Sequence, residues 1–304
     1  MDTPEWGGHG GEEVGHVAVL LKEAIEFLAV QPGGTYIDAT VGLGGHSYEI
    51  AERLGAKGRL IGFDKDPAAL EIAQARLGGG ALPEWPEISL IHGSFAGLAG
   101  GQAPGSIDGI LADIGISSLQ LNTAARGFSF QAEGPLDMRM NPQAEVTAEQ
   151  VVNQEDEVTL ANLIYEFGEE RRSRRIARAI VRSRPISTTA QLAAVISAAA
   201  RSMKHERIHP ATRTFQALRI FVNRELEELQ GLLKAAPQLL KPGGRLVIIS
   251  FHSLEDRIVK DAIRDGVKQG TYRVLTKKPL TAGPEEIGRN PRARSAKMRA
   301  AEKV

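Results

Sequence analysis

A chain of 304 residues can bury one substantial core and still carry a second, smaller domain. Its 37 basic and 37 acidic side chains cancel, so any affinity for nucleic acid must come from local patches rather than from global charge. Cysteine is absent, which rules out disulfides and zinc-thiolate centres, and no apolar run is long enough to span a bilayer. Met1 to Glu13 is acidic and glycine-rich rather than basic and then apolar, so residues 1–14 are expected to be disordered and the chain cytoplasmic.

His16 to Val30 carries apolar residues at helical spacing, and Pro32-Gly33-Gly34 ends that helix. A strand near Thr35 to Ala39 then runs into Val41-Gly42-Leu43-Gly44-Gly45-His46-Ser47, a glycine turn that opens the next helix and leaves its first N–H groups free for a ligand. The next strand, Arg59 to Asp64, ends in a carboxylate about twenty residues past the turn, a spacing that suits the two hydroxyls of an adenosine ribose. Gly-x-Gly-Gly-His is not the Gly-x-Gly-x-x-Gly of dinucleotide sites, and Asp38 would repel a pyrophosphate while suiting a cation. S-adenosylmethionine is therefore the expected cofactor, with NAD disfavoured.

Further strands follow near Ile88 to His92 and Gly109 to Asp113, with helices between them, as in a doubly wound parallel α/β sheet with right-handed crossovers. Asp38, Asp64 and Asp113 then converge on the crevice outside the carboxyl ends of their strands, and Phe95 either covers an adenine ring there or is a plain core residue. A long loop, Ile114 to Met140, starts where substrate must lie. Val146 to about Ala200 reads as three or four helices without a strand. Within it Arg171, Arg172, Arg174, Arg175 and Arg178 form a run with no acid among them, and Arg201, Lys204, His205, Arg207 and Arg213 extend it, which favours phosphate binding.

A single amphipathic helix is expected over Thr212 to Leu240, then a Lys241-Pro242-Gly243-Gly244 turn and a strand, Arg245 to Phe251. His252 follows the strand, facing the crevice or capping the helix Leu254 to Asp265, and closing strands lie near Tyr272 to Lys277 and Ser295 to Val304. The domain reading is 15–132 with 211–304 for the cofactor and 133–210 as a helical insertion for substrate. Without cysteine, methyl transfer must proceed through an atom that already owns a lone pair, such as an amine or hydroxyl. No metal centre is expected.

The chain resembles the MraW family of S-adenosylmethionine-dependent cytosine-N4 methyltransferases of bacterial 16S ribosomal RNA. The resemblance rests on Tyr36 to Ser47, Arg126 to Phe130, Gly134 to Met140, Tyr165 to Val181, His209 to Ile220, Ser250 to Val259 and Asn290 to Ser295. It implies a Rossmann-like class I methyltransferase fold with a helical insertion domain, and methylation of a decoding-centre cytidine within the small ribosomal subunit. It places cofactor contacts on Gly44, Gly45, His46, Asp64, Phe95, Asp113 and Gln120, to which the residues themselves add Asp38. Ala18 stands where the family pattern has proline, and Asn122 where aspartate is common.

The Asn/Asp-Pro-Pro-aromatic tetrad of many amino-methylases is replaced here by Asp113-Ile114-Gly115-Ile116. The expectation is that Asp113 or Asp137 accepts an amine N–H while Arg139 and Asn141 hold the base or its phosphate. Arg171, Arg172, Arg174, Arg175, Arg178 and Arg213 would bind RNA, and the chain would act as a monomer or homodimer. Two competing readings are a nicotinamide oxidoreductase and a noncatalytic RNA-binding ribosome assembly factor.

Overall fold

The computed structural model describes residues 18–78, 84–200 and 208–304, and the expected disorder of residues 1–14 lies outside them, as do Arg201, Lys204, His205 and Arg207. Its strands are β1 (Thr35–Asp38), β2 (Arg59–Asp64), β3 (Glu87–His92), β4 (Ile107–Asp113), β5 (Leu240–Ser250), β6 (Tyr272–Val274) and β7 (Lys297–Lys303). They form a seven-stranded sheet in the order β3-β2-β1-β4-β5-β7-β6. The first five strands pair in parallel, and β7 inserts antiparallel between β5 and β6. The order reverses at β1, between β2 and β4, and a crevice opens outside the carboxyl ends there. This is the doubly wound, Rossmann-like arrangement expected from the alternation of strands and helices.

The strands read as near-continuous apolar runs because both faces are covered. Tyr36, Leu60, Leu111, Val247 and Ile249 pack with Ile25 and Leu28 of α1 (Leu21–Leu28) and with Ile50 and Leu54 of α2 (Gly45–Leu54). The alternate residues Ile37, Ile61, Ile110, Leu246 and Ile248 pack on the opposite layer with Leu229 and Leu232 from one helix and Val259 and Ile263 from another. Each fully buried leucine or isoleucine contributes roughly 1.5–3 kcal/mol, so the two layers hold the sheet rigid beneath the crevice. On the β2 side, α3 (Pro67–Gly78) adds Leu70 and Leu77.

Beyond the short α4 (Ser118–Asn122), four helices follow: α5 (Ala148–Gln154), α6 (Glu157–Gly168), α7 (Ser173–Arg182) and α8 (Thr189–Ala199). Capping boxes start α5 and α8, at Thr147 with Gln150 and at Thr188 with Gln191, and the Asp156 side chain accepts the first N–H groups of α6. These helices share a core of their own, which includes Leu160, Ile164, Ile176, Ile180, Leu192 and Ile196. Among the described residues no helix is long and apolar enough to cross a membrane.

Two expectations are revised. The helix expected over Thr212 to Leu240 is two helices, α9 (Thr212–Asn223) and α10 (Glu225–Leu239), broken at Arg224 with φ 52°. The buried Asn223 amide donates to the Met138 carbonyl (2.7 Å), which ties the end of α9 to a loop rather than to a next turn. Glu225, Glu227 and Glu228 then favour a new N-terminus through the helix dipole. Phe215 and Leu218 of α9 lie in the helical core, so the insertion runs past its expected end at residue 210 as far as the Arg224 break, whereas α10 packs on the sheet. The second revision concerns Lys241 to Gly244, which forms an irregularity inside β5 between the Ile107–Leu240 and Gly109–Arg245 pairs, and Lys241 is ion-paired there to Asp108 at 2.7 Å. After it come α11 (Ser253–Lys268) and α12 (Pro284–Arg289).

Gly127 sits at φ 71°, and a Cβ there would lie 2.2 Å from the Pro135 carbonyl oxygen. Gly288, inside α12, has open space around it. Gly127→Ala is expected to cost at least about 2 kcal/mol and to lower the thermal midpoint by roughly 4 °C or more, whereas Gly288→Ala leaves it unchanged or raises it. Scanning calorimetry of the two variants checks this, and equal midpoints would contradict it.

Candidate cofactor and substrate site

The crevice holds a cavity of about 960 Å³, open mouth included, walled by the glycine turn, the ends of β2 and β4, the first turn of α10 and the segment around Arg292. Ala39 N–H bonds to Leu111 O and Val41 N–H to Phe63 O, which leads the chain out of β1 between its two neighbours. Thr40 Oγ1 accepts the Asp113 N–H at 2.6 Å and so fixes where that acid stands. Gly44, at φ 79°, then starts α2 and lies against Ala73 of α3.

Of the expected cofactor residues, Gly45, His46, Asp64, Phe95, Asp113 and Gln120 line the cavity; Asp38 and Gly44 do not. Asp38 is buried beneath the turn, where its oxygens accept from Ser47 Oγ (2.6 Å) and Thr40 N–H (3.1 Å), and burial still pushes its carboxyl up to about 6. Asp64 accepts Gly42 N–H (2.7 Å) and Asp66 N–H (2.9 Å), one on each oxygen. Each oxygen keeps a lone pair for a ribose hydroxyl, and burial raises the carboxyl above its usual range. Gln120 closes a capping box with Ser117 and donates to Asp66 at 3.0 Å.

Asp113 is the group left unspent. Its Oδ1 is buried with no hydrogen-bond partner among the described residues, and its Oδ2 stands 3.8 Å from His46 Nδ1, whose ring directs Nε2 to the Val19 carbonyl (3.1 Å). Burial, only partly offset by the Arg292 charge, pushes the Asp113 carboxyl up to about 8. An orphaned acceptor beside a glycine turn and a ribose-type acid is what a cationic adenosine cofactor and an amine substrate require, so the residues present fit S-adenosylmethionine.

The loop residues expected to be catalytic sit elsewhere. Arg139 binds Asp137 through Nε (2.8 Å) and Nη2 (2.7 Å), and Asn141 accepts the Gln143 N–H of a turn (2.9 Å). None of the three lines the cavity; of the 137–141 stretch only Met140 does, whereas the start of the loop, Ile114 to Ser117, lines it together with Gln120. The loop is held by Arg126, which reaches Asp66 at 2.7 Å and the Arg139 and Met140 carbonyls at 2.9 Å each. Asp66, fully buried, was not singled out in the sequence, although Asp64-Lys65-Asp66 was available as a signal.

Cavity residues that sequence reasoning missed are Lys65, Glu225, Glu228, Phe251 and Arg292. Lys65 pairs with Glu228 at 2.6 Å and Arg219 grips Glu225 through two contacts of 2.8 Å. His252, Glu255 and Glu225 approach within 4.8 Å of one another. His252 Nδ1 accepts the Glu255 N–H at 3.5 Å as the cap of α11, and its Nε2 stands 2.9 Å from Glu255 Oε1. The capping reading of His252 holds, and its ring does not line the cavity.

On α7, Ile176, Ala177 and Ile180 face the core and the arginines face out. Arg178 pairs with Glu157 (3.1 Å), and Arg172 and Arg213 with Glu170 (3.2 and 3.6 Å), so acids from outside the run compensate part of it. Arg171, Arg174 and Arg175 are exposed.

Asp64→Asn is expected to weaken S-adenosylmethionine binding roughly 10- to 100-fold, the loss of one or two bonds to a charged acceptor, while Asp137→Asn leaves it unchanged. Titration calorimetry reads both. Equal affinities for the two variants would remove Asp64 from the cofactor site.

Comparison with known proteins gives a consistent family. The model of the MraW methylase family matches residues 13–304. A protein of Koribacter versatilis named ribosomal RNA small subunit methyltransferase H is 65% identical over 97% of this chain and 96% of its own length. Its namesake in Acidobacterium capsulatum is 66% identical over 95% and 98%. A solved rRNA methylase from Streptococcus thermophilus superposes with a TM-score of 0.42 at 13% identity, over 95% of this chain and 99% of that one. With a family model covering nearly its whole length, and relatives this similar end to end, the chain belongs to the MraW methylase family.

Proposed function

We propose that this methyltransferase transfers a methyl group from S-adenosylmethionine to the exocyclic N4 amine of a decoding-centre cytidine in 16S ribosomal RNA, within the small ribosomal subunit. The observation that carries the reading is the buried, unpartnered Asp113 Oδ1 on a cavity otherwise built to hold an adenosine. A cytosine amine is a poor nucleophile because its lone pair is conjugated with the ring, so the protein must hold and orient it. S-adenosylmethionine supplies an electrophilic methyl on a sulfonium.

Asp64 takes the ribose hydroxyls, Phe95 and the Gly42 to His46 turn enclose the adenosine end, and Asp113 accepts one N–H of the amine. That acceptor raises electron density on N4 and aims its lone pair. As the N–C bond forms, the nitrogen becomes a strongly acidic ammonium and loses its extra proton to Asp113 or water, so no separate base is needed. The target cytidine must be splayed from its stack to reach the cavity, and single-stranded regions of RNA permit this most readily.

The helical insertion supplies affinity. Arg171, Arg174 and Arg175 present cations on one exposed surface of that domain, where phosphate oxygens replace counterions. Replacing all three with alanine is expected to lower the slope of log affinity against log salt by roughly 2–3, with S-adenosylmethionine binding unchanged. A filter-binding series over salt measures it, and an unaltered slope would take these arginines out of the interface.

The direct test is transfer of labelled methyl to unmodified small subunits, read by nucleoside mass spectrometry. N4-methylcytidine is expected, with subunits preferred over naked RNA. Any other methylated nucleoside, or RNA binding without transfer, would overturn the assignment.

A further inference from the structure

Two groups of opposite hydrogen-bonding sense remain unspent in one cavity. Asp113 Oδ1 has no hydrogen-bond partner among the described residues. Arg292 lines the same cavity from a short 3-10 segment, Pro291–Ser295, whose start is capped by Asn290 accepting the Arg292 backbone N–H at 3.3 Å. A guanidinium carries five N–H donors. Arg292 commits Nη1 to Ser118 Oγ at 2.6 Å, and among the described residues its side chain makes no other hydrogen bond and no ion pair. Its charge acts on Asp113 without direct pairing, so a gap separates a buried acceptor from a half-buried donor fork.

The edge of cytosine complements such a gap. It presents an amine donor at N4 followed by acceptors at N3 and O2. Uracil reverses the first two groups, and adenine keeps an amine and one acceptor but offers a C–H where cytosine has O2. A planar fork of parallel N–H groups suits adjacent acceptors, as a point ammonium does not. In the sequence Arg292 stands only within the Asn290 to Ser295 stretch that carries the resemblance; the fold brings it to the cavity because the segment before β7 passes over the N-terminus of α4.

We infer that Arg292 reads the N3 and O2 acceptors of the target base while Asp113 takes its amine N–H, and that this pair sets the choice of cytosine. The inference rests on the N4 methylation proposed above. Its consequence is that substrate choice is made by donor and acceptor sense at the reacting edge, in addition to any contacts made by the helical domain with the surrounding RNA.

The test uses full-length protein and small subunits reconstituted with semisynthetic 16S RNA carrying either cytidine or 3-deazacytidine at the target, the latter lacking only the N3 acceptor. Wild-type protein is expected to lose about 100-fold in kcat/KM on 3-deazacytidine. Arg292→Met is expected to lose about 100-fold on cytidine but no more than about threefold on 3-deazacytidine, with S-adenosylmethionine affinity unchanged and Arg292→Lys recovering part of the loss. Wild-type rates within twofold on the two nucleosides would overturn the inference without recourse to any variant. So would an Arg292→Met penalty of equal size on both. Failure of wild-type protein to form N4-methylcytidine on the natural subunit would instead sink the proposed function.

Discussion

Placing three carboxylates at the ends of adjacent parallel strands is costly, because each loses water and each repels the others. The site is organised by how that cost is met. Asp38 is answered internally by Ser47 and Thr40, and Asp64 by two backbone N–H groups of the turns around it. Among the described residues Asp113 Oδ1 has no hydrogen-bond partner, and burial drives its carboxyl up to about 8. A sheet held by two apolar layers can carry such an uncompensated acid, and the acid is then available to a cation or an amine that enters the cavity.

The same economy links the two domains. Asp66, fully buried, accepts from Gln120 of the cavity wall and from Arg126, which in turn binds the Arg139 and Met140 carbonyls. Asn223 ties the far end of that loop through the Met140 N–H at 2.7 Å, and Lys65 donates to the Asn223 carbonyl at 2.7 Å. The helical domain is therefore fastened to the floor of the cavity by hydrogen bonds from residues next to Asp64.

The sheet and the cofactor crevice were legible in the sequence because period and position decide them: buried apolar strands, a glycine turn, and acids at strand ends. The break at Arg224 was not, since the apolar periodicity of α9 and α10 runs through it and only the acidic Glu225 to Glu228 stretch hints at a new start. Asp137, Arg139 and Asn141 looked catalytic because a charged loop followed the fourth strand, yet Asp137 and Arg139 satisfy one another. Arg292 was hidden for the opposite reason. It lies far along the chain from Asp113, and no local pattern announces that the fold seats both on one cavity.

The central claim is that Asp113 faces the charge of the bound cofactor. At pH 7, below the value of about 8 to which burial pushes it, the carboxyl holds its proton, and a permanent positive charge nearby makes it release that proton. Titration calorimetry of S-adenosylmethionine binding at pH 7, repeated in buffers of different ionisation enthalpy, measures the release. The expected result is a proton release by the wild-type protein that disappears in Asp113→Asn and shrinks toward pH 9. An identical buffer dependence in both proteins would contradict the claim and place the cofactor's charge elsewhere.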